Sequence, residues 1–392
     1  MNYILFDTHR QDLLPFTHTR PSADIRCGVM TMRERWEHLL HRPTCTLTDP
    51  YLQNIFHPCG GDDNVYINGS VFGTGELTEA IQSLAIGQKL IQGDMLIAAR
   101  TAASEPRLDL LDEHTASFQE IIFTPGVMAL RHVWDIFSLN DMAIRLDFLL
   151  LTTGKTSAAV PHGVTVTGRD IFIEEGAVIN PGCIINAQTG PVYIGKDAEI
   201  LEGTMIRGPL ALCTHAVIKM GAKIYGATTI GPGCKVGGEI NNTVFFANSN
   251  KGHDGYLGNA VIGEWCNLGA DTNCSNLKNN YDEVKIWSES KGRPVSTGLT
   301  FCGLLMGDHS KCGINTMFNT GTVVGVSCNV YGGGFPEKYI PSFSWGGPGD
   351  WQPYKLDKAM KTAARMMARR NKKLSDEELD MYAYLFNNTH HE

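Results

Sequence analysis

The stretch 194–236 reads IGKDAE-ILEGTM-IRGPLA-LCTHAV-IKMGAK-IYGATT-IGPGCK-V, with aliphatic residues six apart at Ile194, Ile200, Ile206, Leu212, Ile218, Ile224, Ile230 and Val236. A period of six matches neither the helical repeat of about 3.6 residues nor the two-residue alternation of a lone strand. It matches a parallel β-helix, in which each hexad forms one short strand and successive coils stack. In most hexads a small residue follows four places after the aliphatic one: Ala198, Thr204, Ala216, Ala222, Thr228 and Cys234. Gly221, Gly226 and Pro232 fall near the corners, where the chain bends or takes positive φ. The ladder begins at Ile173, Ile179 and Ile185 and shifts across Gly190-Pro191. It is expected to resume at Tyr256, Ile262 and Leu268, then at Met306, Cys312, Phe318, Val324 and Val330.

The flanks have a different texture. Met1 to Phe6, Val65 to Asn68 and Leu96 to Ala99 read as strands and Met30 to Leu40 as a helix, a mixture that predicts an α/β layer. Apolar residues at helical spacing (Ile136, Leu139, Ala143, Leu146, Leu150) predict a helix over 133–151 leading out of it. The expected division is an α/β domain at 1–155, a β-helix at 156–335 and a C-terminal loop and helices at 336–392. Lys355 to Asn371 and Ser375 to Phe386 are the predicted helices, the second opened by a Ser375/Glu378 capping box. Lys358, Lys361, Arg365, Arg369, Arg370, Lys372 and Lys373 form a basic cluster there, readable as a solvated face or as a contact for a phosphorylated ligand.

The 392 residues suffice for two domains and a large core. A formal net charge of −8 with 19% charged residues gives no basic footprint for nucleic acid. No apolar run is long enough to cross a membrane, and Asp7 and His9 interrupt the segment where a signal peptide needs its apolar core, so the expected location is the cytoplasm. None of the eleven cysteines forms a C-x-x-C pair. Cys183, Cys234, Cys266 and Cys328 fall on the small position of a hexad, where a thiol is a compact apolar filler, so neither disulfides nor a metal site is expected. His390-His391-Glu392 reads as a solvated tail.

One polar segment interrupts the repeats: Gly238-Glu239-Ile240-Asn241, then Asn248 to Gly258. A polar loop between coils can carry a site without disturbing the core. His253 within it is the leading catalytic candidate, because an imidazole with an ordinary pKa of about 6.5 accepts a proton near neutral pH. Taken alone, a histidine in a Gly/Asp loop is more often a plain surface residue.

The run Gly252-His253-x-x-Tyr256-Leu257-Gly258-Asn259-Ala260, then Ile262-Gly263, Asn267-Leu268-Gly269-Ala270 and Asn276, resembles the acetyltransferase domain of the bifunctional N-acetylglucosamine-1-phosphate uridyltransferase/glucosamine-1-phosphate acetyltransferase family. Similar archaeal sugar-1-phosphate enzymes share Asn276-Leu277. The resemblance implies a left-handed β-helix that trimerises, with acetyl-CoA between subunits. It makes His253 the general base and Glu239 a carboxylate of the same pocket. Tyr256 and Asn267 become sugar-phosphate contacts, and Asn276, with Ala270 and Lys278, part of the acetyl-CoA site. Tyr225 and Asn241 fall in the substrate site where the family has an arginine and a lysine for the sugar phosphate.

At the other end, Leu14-Pro15-Phe16-Thr17-His18-Thr19-Arg20-Pro21, Ala23 to Gly28 and Trp134 to Asn140 resemble a shortened family similar to the sugar-1-phosphate nucleotidyltransferases. Such enzymes open with a glycine-rich loop that cradles phosphates, whereas this chain has Leu5-Phe6-Asp7-Thr8-His9-Arg10. Where they place a magnesium-binding Asp, it has Asn68-Gly69-Ser70. Arg20 and Arg26 remain candidate nucleotide contacts. The expectation is a sugar-nucleotide biosynthesis enzyme: an acetyl-CoA-dependent N-acetyltransferase acting on an amino-sugar phosphate or related amino sugar. Two alternatives stand beside it: a sugar-1-phosphate nucleotidyltransferase using UTP or dTTP, whose β-helix mainly trimerises it and whose activity requires Mg²⁺, and a non-catalytic sugar-nucleotide scaffold.

Overall fold

Aliphatic side chains six apart reach the interior only if each coil turns three corners, and three stacked faces are what the chain forms. The computed structural model describes residues 1–103 and 107–389, so the expected tail at His390, His391 and Glu392 lies outside the described residues. The chain divides into two compact units, Met1–Ile25 with Met30–Val133, and Arg26–Val29 with Trp134–Glu392.

The first unit is built on β1 (Asn2–Phe6), β2 (Cys45–Leu47), β3 (Asn64–Asn68), β4 (Gln88–Gln92), β5 (Met95–Thr101) and β6 (Gln119–Ile122), in the order β2-β1-β3-β5-β4-β6. β1 is buried at all but its first position, as a strand covered on both faces must be. It runs parallel to β2 on one side and β3 on the other. The strand order therefore reverses at β1, which leaves a crevice at the carboxyl ends of β1 and β3. A helix over Met32–Leu40 starts at the Thr31/Glu34 capping box and buries Trp36, whose indole donates to the Val71 carbonyl at 3.0 Å. Cys45 and Cys59 are bonded to each other, which corrects the expectation of no disulfide: a pair 14 residues apart carries no C-x-x-C signal. The other nine cysteines are buried, including Cys183, Cys234, Cys266 and Cys328 at their hexad positions.

The second unit is a parallel β-helix with faces of six, nine and ten strands, the last of the ten, Asp350–Pro353, folding back antiparallel. On the second face Ile173, Ile194, Leu212, Ile230, Phe245, Ile262, Met306, Val324 and Ile340 stack in one column. The ladder differs from expectation at one place. Ile240 is in register with buried Leu257, while Tyr256 pairs with Glu239 and lies off the ladder. The spacing departs from six here: the inward residues are Val236, Ile240, Phe245, Lys251 and Leu257.

The helix Asn140–Thr152 packs on the β-helix, with Ile144 clustered against Val29, Phe172, Tyr193 and Ala211. It also traps the segment Arg26–Val29. Asn140 accepts from the Gly28 amide at 2.8 Å, Asp147 accepts from the Val29 amide at 2.8 Å, and the Thr229 hydroxyl donates to the Gly28 carbonyl at 2.9 Å. Two motifs far apart in sequence, at Arg26–Gly28 and Trp134–Asn140, thus meet in one hydrogen-bonded knot. Compact packing consequently groups 134–155 with the β-helix. The C-terminal helices span Leu356–Ala368 and Asp376–Asn388, and the Ser375/Glu378 capping box opens the second. No helix among the described residues is long and apolar enough to cross a membrane.

Candidate functional site

His253 lies at the corner between the third-face strand Asn250–Lys251 and the first-face strand Tyr256–Gly258. Gly255, at φ 113°, makes the turn possible, because a Cβ there would also lie 2.2 Å from the Thr272 carbonyl oxygen. The imidazole is exposed and lines a cleft of about 860 Å³. Asn267, Ala270, Lys219, Lys235 and Lys311 line the same cleft from the β-helix, and Thr362, Arg365, Met366, Arg369 and Arg370 line it from the C-terminal helix and the turn after it. Six of the lining residues are cationic and none is acidic. Arg370 anchors that wall by donating to the Gly233 carbonyl and, at 3.0 Å, to the Asn250 side chain. Lys361, from the same basic cluster, instead pairs with Asp357 at 3.6 Å and does not line the cleft.

Glu239 lines a second cleft, of about 400 Å³, with Asn186, Arg207, Lys223, Tyr225 and the apolar Ile184 and Met205. The Tyr225 hydroxyl donates to the Glu239 carboxylate at 2.6 Å, and Lys223 approaches the other oxygen at 3.8 Å. Burial and this carboxylate push the Tyr225 phenol well above its ordinary range. Asn241 is the register partner of Tyr225 and Tyr256 that of Glu239, so all four belong to the first face. The Asn276 amide donates to the Tyr256 hydroxyl at 3.0 Å and to the Asn259 side chain at 2.8 Å. Lys278 lines neither cleft and donates to the Glu283 carbonyl. Within one chain the candidate residues thus form two groups, His253 with Asn267 and Ala270, and Glu239 with Tyr225, Asn241, Tyr256 and Asn276.

Sequence reasoning missed two features of the His253 site. Lys251 occupies an inward ladder position, in register with Val236, and only the irregular spacing after Val236 hints at it. Its ammonium donates to the carbonyls of His253 at 2.9 Å and Asp254 at 3.1 Å. The other feature is the placement of the basic cluster at His253: the sequence offers Arg365, Arg369 and Arg370 as a contact for a phosphorylated ligand or as a solvated face, and the four-residue spacing that puts Arg365 and Arg369 on one helix stripe does not say which way the stripe faces.

The nucleotide-site candidates are buried. Arg20, in the first unit, approaches the Thr19 hydroxyl at 3.5 Å, and Arg26, in the second, donates to the Val29 carbonyl. At the carboxyl end of β1, Asp7 is buried, accepts from the Ser22 amide at 2.8 Å and the Thr48 hydroxyl at 2.7 Å, and faces Arg10 at 3.8 Å. Burial raises its pKa. Asn68 accepts from Thr8 at 2.6 Å and from the Ser70 hydroxyl at 2.8 Å. This edge offers hydroxyls, an amide and the carboxylates of Asp7 and Asp49, both already engaged, Asp49 by Arg10 at 2.6 Å, a donor set that does not fit Mg²⁺. Among the described residues no cluster of three or more His, Cys, Asp or Glu is placed to hold a metal.

Residues 3–156 match the family model described as sugar nucleotidyl transferase, a match that runs through the helix Asn140–Thr152. The chain is 31% identical over 194 residues to the bifunctional protein GlmU of Methanococcus maripaludis, covering 50% of this chain and 40% of the relative. It is 32% identical over 146 residues to the bifunctional sugar-1-phosphate nucleotidylyltransferase/acetyltransferase of Sulfurisphaera tokodaii, covering 37% and 36%. The chain therefore spans less than half the length of these relatives. Among solved structures, the polySia-specific acetyltransferase NeuO aligns with a TM-score of 0.28 at 12% identity, covering 50% of this chain and 87% of that one.

Proposed function

We propose that this protein is an acetyltransferase of sugar-nucleotide biosynthesis, transferring the acetyl group of acetyl-CoA to the amine of an amino-sugar phosphate or related amino sugar. The observation that carries the reading is the exposed His253 in a cleft of about 860 Å³ lined by six cations and no acid. Acetyl-CoA brings several phosphate charges, and such a wall suits them. In this reading His253 takes a proton from the acceptor amine as it attacks the thioester carbonyl. A C–N bond forms, the C–S bond breaks, and the CoA thiolate leaves with the proton carried by the imidazole. Asn267 and Ala270 line the same cleft; in this reading Asn267 contacts the sugar phosphate and Ala270 the acetyl-CoA.

Glu239 and His253 line different clefts of one chain, so the reading also proposes a homotrimer in which Glu239, Tyr225, Asn241, Tyr256 and Asn276 face the His253 cleft of a neighbour. The two positions where the resemblance implies phosphate-binding cations hold Tyr225 and Asn241, and Tyr225 is committed to Glu239. Arg207 and Lys223 line the same cleft as Tyr225 and can supply cations in their place, so sugar 1-phosphates and nucleotide-linked amino sugars both belong in the test. The proposed location is the cytoplasm, where acetyl-CoA and sugar phosphates are made.

The match of residues 3–156 favours a second reading, sugar-1-phosphate nucleotidyl transfer with UTP or dTTP. The burial of Arg20 and Arg26 and the absence of a fitting Mg²⁺ donor set at the β1 edge weigh against it. The deciding experiment follows free thiol released from acetyl-CoA with a panel of amino-sugar 1-phosphates and nucleotide-linked amino sugars. Turnover that collapses in His253→Ala supports the acetyltransferase. If no acceptor gives turnover, the reading falls to nucleotidyl transfer or a non-catalytic scaffold.

A further inference from the structure

Lys251 stands where the β-helix otherwise carries apolar side chains. It is in register with Val236, in a column that runs through Ile179, Ile200 and Ile218, and it is 1% exposed. A buried ammonium is costly unless its N–H groups are bonded. Here each of the three donors has an acceptor: the carbonyls of His253 at 2.9 Å, Asp254 at 3.1 Å and Gly237 at 3.5 Å. Burial nevertheless pulls its pKa down to about 8.

Other corners of the β-helix are tied by short hydroxyls. Thr204 donates to the Leu201 carbonyl at 2.8 Å, Ser249 to Gly263 at 2.7 Å and Ser310 to Gly325 at 2.6 Å. At the His253 corner a long side chain reaches across from inside instead. The coil below closes in as well, because a Cβ on Gly238 would lie 2.9 Å from the His253 carbonyl oxygen. The backbone of His253 is thus held from the interior while its imidazole is exposed at the cleft.

We propose that Lys251 is a positioning residue for His253, fixing from inside the β-helix the turn from which the imidazole reaches the acceptor. The proposal rests on the reading of His253 as the general base. It goes beyond that reading by naming the group that sets the base's geometry without touching substrate.

The test compares wild type with Lys251→Met and Lys251→Leu, which restore an apolar ladder residue and remove the donors. Each is assayed with acetyl-CoA and the best acceptor of the panel, and each is examined by NMR for the His253 ring resonance, assigned by its loss in His253→Gln. The expected result is a kcat lowered roughly 10- to 100-fold with the KM for acetyl-CoA within about twofold, together with a shifted or broadened His253 resonance, in a chain that still melts cooperatively. A variant that folds and keeps both the kcat and the His253 resonance of wild type overturns the proposal. If neither variant folds, Lys251 is a folding residue and the proposal is equally overturned. If wild type turns over no acceptor, the reading of His253 as a base fails, and the ring resonance alone then decides whether Lys251 positions it.

Discussion

Lys251 also makes a prediction about stability that does not depend on catalysis. Its folded-state pKa is about 8, against an ordinary lysine value of 10.5, because burial disfavours the ammonium. Between those values the unfolded chain binds more protons than the folded one, so the contribution of Lys251 to stability rises with pH. At pH 7 the residue is protonated in both states and the whole cost of burying the charge is felt. By pH 9.5 the folded form has released the proton, and about 2 kcal/mol of that cost is relieved. The stability of wild type relative to Lys251→Met should therefore improve by about that amount from pH 7 to 9.5, read from denaturant midpoints at the two pH values. A gap that stays constant would mean that Lys251 keeps an ordinary pKa in the folded state. Lys311, also pulled down to about 8 by burial, is common to both chains and cancels in the comparison. The sequence did not disclose Lys251 because a lysine in a polar loop reads as exposed, and only the register with Val236 turns it inward.

At the scale of elements, the C-terminal helix Leu356–Ala368 changes meaning once it is placed. Arg365 and Arg369 are one helical turn apart, and like charges at that spacing repel. Among the described residues neither has an ion pair, whereas Lys361 is paired with Asp357. An anionic ligand in the cleft would relieve that repulsion. Arg365→Ala combined with Arg369→Ala should weaken acetyl-CoA binding roughly 10- to 100-fold and flatten its salt dependence, while Lys361→Ala leaves both unchanged, all measurable by calorimetric titration. Equal affinities in the three chains would return the basic cluster to a solvated helix face. The knot around residues 26–29 makes a second prediction. Gly28 has φ +90° and a Cβ there would lie 2.3 Å from the Asp147 carboxylate, so Gly28→Ala should cost about 2 to 3 kcal/mol, seen as a lowered unfolding midpoint.

Legibility followed the same division between elements. The ladder from Ile173 to Val236 could be read because a buried column demands an apolar side chain in every coil. The hexad spacing fails at Tyr256 because inward positions there are set by loop length rather than by hexads. The capping box at Ser375 announced its helix. No spacing motif marks Cys45 and Cys59 as a bonded pair, and an arginine beside Pro21 or within Ala23 to Gly28 reads as a turn residue rather than a buried one.

The largest scale decides whether the candidate site is complete in one chain. His253 faces the cationic cleft, while Glu239 faces the cleft bounded by Ile184 and Met205, which are 46% and 44% exposed. Apolar side chains that exposed, on a flat face of parallel strands, favour contact with another copy. In a homotrimer each His253 cleft would be completed by the first face of a neighbour. Sedimentation should then give a mass near three times 43.0 kDa. A sharper consequence concerns activity. His253→Ala and Glu239→Gln should each be inactive as pure proteins, because each spoils every site. Co-expressed, they should regain activity, since a mixed trimer contains some interfaces where an intact His253 meets an intact Glu239 from the next chain. Had both residues served one site within the same chain, every chain in the mixture would carry a defective site and no activity could return. Recovery in the mixture therefore places the acetyl transfer between subunits, and its absence confines the chemistry to the His253 cleft and leaves Glu239 with a structural role beside Tyr225.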